Sequence, residues 1–194
     1  MGIRAVSRPA VFLDRDGVLV EEIFDAQTGE WEAPLRSEDV RLTPGAAAAA
    51  WRLAEAGYAL VLISNQPAYA KGKTELRALW LAHKRFVELL ASEGVRLDAV
   101  FYSYGHPDGV MPHFSGPSLD RKPGPYNLFI AAAQLDLDLA RSWMIGDRES
   151  DVACARAAGV RAILVKNAHT HLCNAPTVIV AKDLSEAVQH IGVA

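Results

Sequence analysis

Two aspartates follow a short apolar run near the start of the chain. Asp14 and Asp16 come directly after the run from Ala10 to Leu13, in the order Asp-Arg-Asp-Gly. The run predicts a buried strand, and an unpaired charge inside such a strand is costly. We therefore expect Asp14 at the open end of the strand, where a cation or a reaction can use it. An acidic turn is the plain alternative for this motif alone, and its glycine comes too early for a calcium loop.

Three more polar clusters follow predicted strands or open a predicted helix. They consist of Ser64 and Asn65, of Arg121 and Lys122, and of Asp147 and Asp151. Each cluster alone has a structural explanation. Ser64 and Asn65 fit a turn, and Arg121 and Lys122 fit a solvated basic turn. Asp147 and Asp151 fit carboxylates that complement a helix dipole. Ligands of open α/β sheets bind beyond the carboxyl ends of the strands. The four clusters together therefore predict one shared site.

The segments around these clusters alternate between strand and helix patterns. Strands are predicted over 10–13, 58–63, 99–102, 142–145, 160–165 and 177–180, and helices over 46–56, 74–93, 125–135, 147–158 and 183–191. This alternation predicts an α/β domain with a parallel sheet and right-handed crossovers. No linker divides the chain, so we expect a single domain over residues 1–194.

Bulky side chains in the first two helices are candidates for the core. Trp51 and Leu53 are the large apolar residues of the alanine-rich helix. The longer helix shows three- and four-residue steps typical of an amphipathic helix, at Leu76, Leu79, Trp80, His83, Phe86, Val87 and Leu90. On this stripe, His83 is interpreted as a packed histidine, not a ligand.

Two segments read as long loops. Residues 21–43 show no sustained period, and loops of this length often form lids or binding loops. Residues 103–120 are rich in Gly, Pro, His and Ser and read as a structured loop.

Composition bounds the class of protein. The chain has 194 residues, 51% of them hydrophobic, and a formal net charge of −3. It is long enough for a full core, and it has no basic run that would indicate a nucleic-acid partner. No apolar segment approaches the roughly 18–20 residues of a membrane span, and no signal peptide is recognised. Cys154 and Cys173 form no Cys-x-x-Cys pair, so a cytoplasmic setting is expected, while the oligomeric state stays open.

In order along the chain, the clusters resemble the four motifs of the haloacid dehalogenase (HAD) superfamily of phosphohydrolases: Asp14-x-Asp16-Gly17-Val18, Ser64, Lys122 and Gly146-Asp147-x-x-x-Asp151. The resemblance implies a three-layer, Rossmann-like α/β fold with a central parallel sheet and no large cap domain. It is closest to a small-cap subgroup that hydrolyses heptose bisphosphates or histidinol phosphate. The segment from Gln66 to Gly72 is more similar to the heptose enzymes.

The resemblance also implies roles for the residues. Asp14 would be the nucleophile and Asp16 the general acid and base. Ser64, Asn65 and Lys122 would hold the phosphoryl oxygens, and Arg121 would contact the substrate. Mg²⁺ would be bound by Asp14, by Asp147 and by the backbone carbonyl of Asp16, with Asp151 either completing this site or holding Lys122. For Arg15, Lys71 and Arg148, a surface charge is the preferred interpretation, and a contact with the substrate is the weaker alternative.

One departure from the subgroup concerns the segment 103–120. Relatives usually bind zinc there through a Cys-x-His and a Cys-x-Cys pair. The matching positions here are Ser103, Gly105, Ser118 and Asp120. This set offers neither thiolate nor imidazole, which zinc prefers. We therefore expect no zinc, and we interpret His106 and His113 as polar loop residues.

Three functions are weighed on these grounds. The first is a Mg²⁺-dependent phosphatase of a small phosphorylated sugar, with a heptose bisphosphate as the expected substrate. The second is a histidinol-phosphate phosphatase. The third is a domain of the same fold that binds a phosphorylated metabolite without catalysis, against which the complete set of motif residues argues.

Overall fold

A computed structural model describes residues 7–26, 28–166 and 178–193. The strands are Ala10–Leu13 (β1), Ile23–Asp25 (β2), Glu30–Glu32 (β3), Ala59–Asn65 (β4), Ala99–Ser103 (β5), Trp143–Gly146 (β6), Arg161–Val165 (β7) and Ile179–Ala181 (β8). The α-helices are Ala46–Glu55 (α1), Leu76–Ser92 (α2), Tyr126–Leu135 (α3), Glu149–Ala157 (α4) and Leu184–Ile191 (α5). Single 3-10 turns lie at Ser37–Asp39 and Leu139–Arg141.

Six of the strands form one sheet in the order β5-β4-β1-β6-β7-β8. Every neighbouring pair in this sheet is parallel. Parallel neighbours need crossover connections, and helices α1 to α4 supply those that lead from β1 through β4, β5 and β6 to β7. The prediction of a Rossmann-like α/β fold with a central parallel sheet is confirmed.

The central strand β1 is buried on both faces. Val11 and Leu13 point to a core that includes residues of α1, α2 and α5, whereas Ala10 and Phe12 point to a second core with residues of α3 and α4. Successive strand residues alternate between faces, so one short apolar run supplies both cores. The result is a three-layer molecule with helices on either side of the sheet.

Two predictions about the helix cores need correction. In α1, Leu53 is fully buried, but Trp51 is 47% exposed and is not a core residue. In α2, the buried side chains are Leu79, Ala82, Phe86 and Leu90, while Leu76, Trp80 and Val87 lie on the exposed side. The apolar stripe predicted for α2 was too wide, because this helix packs against the sheet with only part of its circumference.

Helix and strand ends agree with the prediction to within a few residues. Strand β4 runs two residues further than expected, so Ser64 and Asn65 are its last residues. Asp183 caps α5 as predicted, since its side chain accepts a hydrogen bond from the Glu186 amide. The predicted sixth strand is β8, although Thr177 lies outside the described residues.

The segment 21–43 is not a plain loop. Strands β2 and β3 form an antiparallel hairpin in which Phe24 faces Trp31 across the pair. The two rings lie 5.6 Å apart, and both are largely exposed. Strands of three residues are too short to show the period-2 pattern from which a strand is recognised, so the hairpin was missed.

No helix in the described part of the chain combines the length and the apolar character needed to cross a membrane. The cytoplasmic setting and the lack of a nucleic-acid partner stay predictions.

The contrast between Leu53 and Trp51 can be tested by truncation. We expect Leu53→Ala to lower the free energy of unfolding by about 2–5 kcal/mol, because it leaves a cavity in the core. Trp51→Ala should cost less than about 1 kcal/mol, although it removes more atoms, because its ring is half in water. Urea unfolding of both variants measures this, and an equal loss would contradict the assignment of the core.

Candidate active site

The predicted site residues converge because three neighbouring strands end side by side. Strand β1 lies between β4 and β6 in the sheet. Asp14 directly follows β1, Ser64 is near the end of β4, and Asp147 directly follows β6. The helices that follow β1 and β6, α1 and α4, lie on opposite faces of the sheet, and this divergence opens a crevice at the carboxyl ends of the two strands. All three side chains are buried there.

The ammonium group of Lys122 lies at the centre of the site. Its Nζ is 2.8 Å from Asp14 Oδ2 and 2.6 Å from Asp151 Oδ1. It also donates a hydrogen bond of 2.8 Å to the carbonyl of Ile63, in β4. An ammonium has three donors, and three acceptors meet them. Burial disfavours the charge, but Asp14 and Asp151 outweigh it and raise the pKa of Lys122 above its ordinary value.

Asp151 makes polar contacts with two parts of the site. Its Oδ1 contacts Lys122, and its Oδ2 accepts a hydrogen bond of 3.0 Å from the Arg148 amide at the start of α4. Its carboxylate also packs against Gly146, where an added Cβ would lie 2.2 Å from Asp151 Cγ. Asp151 therefore holds Lys122, and the site needs glycine at position 146.

An acidic cluster surrounds this lysine. Ligand atoms of Asp14, Asp147 and Asp151 all lie within 4.8 Å of one another, and all three residues are buried. Burial first, and then the charges of Asp14 and Asp151, raise the pKa of Asp147 to about 8. Carboxylates are the ligands that Mg²⁺ prefers, and a divalent cation would relieve the repulsion that raises this pKa. The donor set therefore fits Mg²⁺.

Asp16 is held by two hydrogen-bond donors. Arg15 Nε donates to its Oδ1 at 2.9 Å, and Gln66 Nε2 donates to its Oδ2 at 2.5 Å. The interpretation of Arg15 as a surface charge was wrong, because its side chain is only 2% exposed. Burial opposes the charge of Arg15, but Asp16 and Tyr102 raise the pKa of Arg15 above its ordinary value.

The end of β4 contributes a residue that sequence reasoning did not assign to the site. Gln66 is buried and donates to Ser64 Oγ at 3.0 Å as well as to Asp16. Its position two residues after Ser64, directly beyond a strand whose end was already assigned to the site, was the available signal. Asn65 pairs with the main chain of Lys122: its Nδ2 donates to the Lys122 carbonyl, and its Oδ1 accepts from the Lys122 amide, both at 3.0 Å.

A pocket of about 220 Å³ opens above Asp14 and Asp16. Residues of β3 line it, and so do four cationic side chains, Lys71, Lys73, Arg121 and Arg148. Two ion pairs connect the segment that contains the hairpin to these cations. Glu32 pairs with Lys73, and Glu22 pairs with Arg148 at 2.8 Å. The segment 21–43 is thus a wall of the site. Lys71 and Arg148 are exposed, as predicted, although they also line it.

The segment 103–120 is tied together by hydrogen bonds. The hydroxyl groups of Ser103 and Ser118 both donate to Asp120 Oδ1. Arg121 Nη1 donates to the carbonyl of Gly105 at 3.1 Å, and the rest of its side chain lines the pocket. Three of the four positions compared above with zinc ligands, Ser103, Ser118 and Asp120, are thus joined to one another by hydrogen bonds.

The parallel sheet and the arrangement of Asp14, Ser64, Lys122 and Asp147 define a HAD-like hydrolase. A family model described as HAD-hydrolase-like matches residues 119–187.

Comparisons over most of the chain agree. The chain is 42% identical over 163 residues to D-glycero-D-manno-heptose-1,7-bisphosphate 7-phosphatase of Thermosynechococcus vestitus, covering 82% of this chain and 79% of that protein. A Rhodopseudomonas palustris protein, D-glycero-beta-D-manno-heptose-1,7-bisphosphate 7-phosphatase, is 37% identical, with coverage of 82% and 84%. The crystal structure of D,D-heptose 1,7-bisphosphate phosphatase from B. bronchiseptica, complexed with magnesium and phosphate, superposes with a TM-score of 0.77 at 26% identity, covering 94% of this chain and 97% of that one. The chain belongs to the HAD-like hydrolase family, with the heptose-bisphosphate phosphatases among its relatives.

The raised pKa of Asp147 predicts how stability depends on pH. Its folded pKa of about 8 lies above its ordinary value of 3.8, so the folded protein keeps a proton that the unfolded chain has lost. Stability from this group is full below the lower value and is lost as the pH rises through the higher one. We expect the Tm of metal-free protein to fall between about pH 5.5 and about pH 8.5, and Mg²⁺ to raise the Tm more at the higher pH.

Differential scanning fluorimetry of metal-free and Mg²⁺-loaded protein measures both effects. Asp147→Asn is the control, because it cannot titrate and should flatten the difference between the two pH values. A Mg²⁺ gain of equal size at both pH values would contradict the prediction.

Proposed function

We propose that the chain is a Mg²⁺-dependent phosphomonoester hydrolase acting on D-glycero-D-manno-heptose 1,7-bisphosphate. The observation that carries the proposal is the Lys122 ammonium bridging Asp14 and Asp151, beside Asp147, at the carboxyl ends of the central strands. The identity to named heptose-bisphosphate phosphatases supports the choice of substrate. We also propose that residues 1–194 form one domain, in which the hairpin takes the place of a cap.

The acidic cluster is where the metal would bind. Asp14 and Asp147 would supply carboxylate ligands, and the backbone carbonyl of Asp16 would supply a third oxygen. Bound there, Mg²⁺ neutralises the charge of the phosphate dianion that would otherwise repel the attacking carboxylate.

Asp14 is assigned as the nucleophile. Its Oδ2 is held by Lys122, and its Oδ1 accepts a hydrogen bond of 2.7 Å from the Arg15 amide, so its carboxylate is fixed at the mouth of the crevice. Attack on phosphorus forms an aspartyl-phosphate as the bond to the sugar oxygen breaks. Asp16 gives that oxygen a proton, and then takes a proton from the water that hydrolyses the intermediate.

Lys122 and Ser64 would stabilise the transferred phosphoryl group. Charge accumulates on its equatorial oxygens in the transition state, and donors already in place stabilise it most effectively. The amide of Asn65 is engaged by the main chain of Lys122. We therefore assign Asn65 to fixing Lys122, and not to a direct contact of its side chain with the phosphoryl oxygens.

The second phosphate of the substrate would contact a group of four cationic side chains, here called the cationic wall of the pocket. Lys71, Lys73, Arg121 and Arg148 line the pocket beyond the aspartates. Burial and the neighbouring Arg148 lower the pKa of Arg121, a sign that positive charge is concentrated here. A guanidinium can pair with a phosphate through two parallel hydrogen bonds. We assign Arg121 to the second phosphate.

A substrate panel tests the proposal. With Mg²⁺ present, we expect heptose 1,7-bisphosphate to be hydrolysed at least about tenfold faster than histidinol phosphate, judged by kcat/KM from released phosphate, because only the bisphosphate meets both the lysine and the cationic wall. The reverse ratio would favour a histidinol-phosphate phosphatase. No turnover of either compound would favour a binding domain without catalysis.

Asp14→Asn is the control for the chemistry. It should lower turnover by at least about 10⁴-fold, because an amide cannot serve as the nucleophile, while circular dichroism stays that of the wild type. Turnover close to that of the wild type would overturn the assignment of the nucleophile.

We further propose that the segment 103–120 binds no zinc. The side chains at the matching positions offer oxygen only, and Asp120 is already an acceptor for Ser103 and Ser118. Elemental analysis of protein purified without added metal should find well under one zinc per chain. Stoichiometric zinc that survives dialysis would contradict this.

A further inference from the structure

We propose that Arg15 is a positioning residue that holds Asp16 for proton transfer to the leaving oxygen, and that Tyr102 and His83 anchor Arg15 in turn. This inference rests on the proposed function, because it assumes that Asp16 is the general acid. It adds a network of contacts around Asp16 to the machinery of the reaction.

The guanidinium of Arg15 makes a specific set of contacts. Its Nε donates to Asp16 Oδ1, and its Nη2 donates to Gln66 Oε1, both at 2.9 Å. Gln66 closes the ring by donating to Asp16 Oδ2. The Asp16 carboxylate is thus fixed in rotation and in tilt by two neighbours that also hold each other.

The shape of the contact requires arginine. Two nitrogens of one planar group reach two different acceptors, and a lysine ammonium has neither the fork nor the fixed geometry to do so. A charge that is 98% buried would be costly without these partners. The network is therefore maintained by the ion pair with Asp16, and breaking it would leave both groups without compensation.

The far side of Arg15 is packed on an aromatic side chain. Its Cζ lies 5.7 Å from the centroid of the Tyr102 ring, in β5. The hydroxyl of Tyr102 is 3.0 Å from Nδ1 of His83, in α2, and the two rings meet edge to face. Arg15 is thus held between the site and the packing of β5 against α2. This contact gives the histidine on α2 a structural role.

The chemistry gives this network a measurable consequence. Asp16 acts as an acid only in its protonated form, in which one of its carboxyl oxygens carries the proton. When the ester bond breaks, its electron pair goes to the leaving oxygen, which takes that proton, and the Asp16 carboxylate left behind pairs with Arg15. A sugar alcohol leaves poorly as an alkoxide and needs that proton, whereas a nitrophenolate leaves without it. Misplacing Asp16 should therefore slow the first step for an alkyl phosphate and spare it for an aryl phosphate.

The experiment compares Arg15→Lys with the wild type on two substrates, heptose 1,7-bisphosphate and p-nitrophenyl phosphate. Rapid-quench measurement of the first turnover isolates the step in which Asp16 acts as an acid. We expect a loss of roughly 100-fold on the sugar phosphate and less than about threefold on the aryl phosphate. Asp16→Asn should show the same selectivity with a larger loss on the sugar.

Arg161→Lys is the matched control. Arg161 Cζ lies 3.9 Å from the centroid of the Trp143 ring, and the two residues are the first of β7 and β6, at the ends of the strands that lie away from the site. The same substitution at this cation–π contact should leave both first-turnover rates unchanged. If Arg15→Lys loses equal activity on both substrates, or on neither, the inference is overturned. If the wild type hydrolyses neither substrate, it is the proposed function that fails.

Tyr102→Phe tests the anchor, and it decides the matter if Arg15→Lys does not fold. It keeps the ring and removes only the hydroxyl that contacts His83. We expect a loss of roughly three- to tenfold, again on the sugar phosphate alone. An equal change on both substrates, or no change at all, would overturn the inference.

Discussion

The contact between Lys122 and two buried aspartates is the constraint on which the site depends. Asp14 and Asp151 come from different crossover units, and burying both without a cation would cost more than packing can return. Lys122 reaches them because the turn before α3 is itself fixed to Asn65. One ammonium therefore ties β1, β4 and α4 together at the carboxyl edge of the sheet.

This constraint explains why the ends of the strands are polar while the strands themselves are apolar. Strands β1, β4 and β6 are buried on both faces, so their interiors read as continuous apolar runs. The residues at the carboxyl ends of these strands lie beyond the core, have no apolar partner and face the crevice. The same geometry requires glycine at position 146, where the Asp151 carboxylate packs against the backbone.

Most of the fold and much of the site could be predicted from local patterns. Apolar runs and polar ends located β1, β4 and β6 and the polar residues at their ends, because each signal lies within a few residues. The failures have separate causes. The strands of the hairpin are too short to show a period-2 pattern. The burial of Arg15 depends in part on a hydrogen bond to Gln66, 51 residues away, and a local pattern carries no sign of that contact.

The parts of the site to which we assign proton transfer and substrate choice are physically separate. Asp16 is held by Arg15 and Gln66, which are buried and satisfied by each other, so their geometry is insulated from solvent. The hairpin wall is held by pairs that involve the exposed Arg148 and the partly exposed Lys73, and such pairs are weak and easily exchanged. A chain built this way can change what its pocket accepts by altering the hairpin, while the rigid part that performs the chemistry stays as it is.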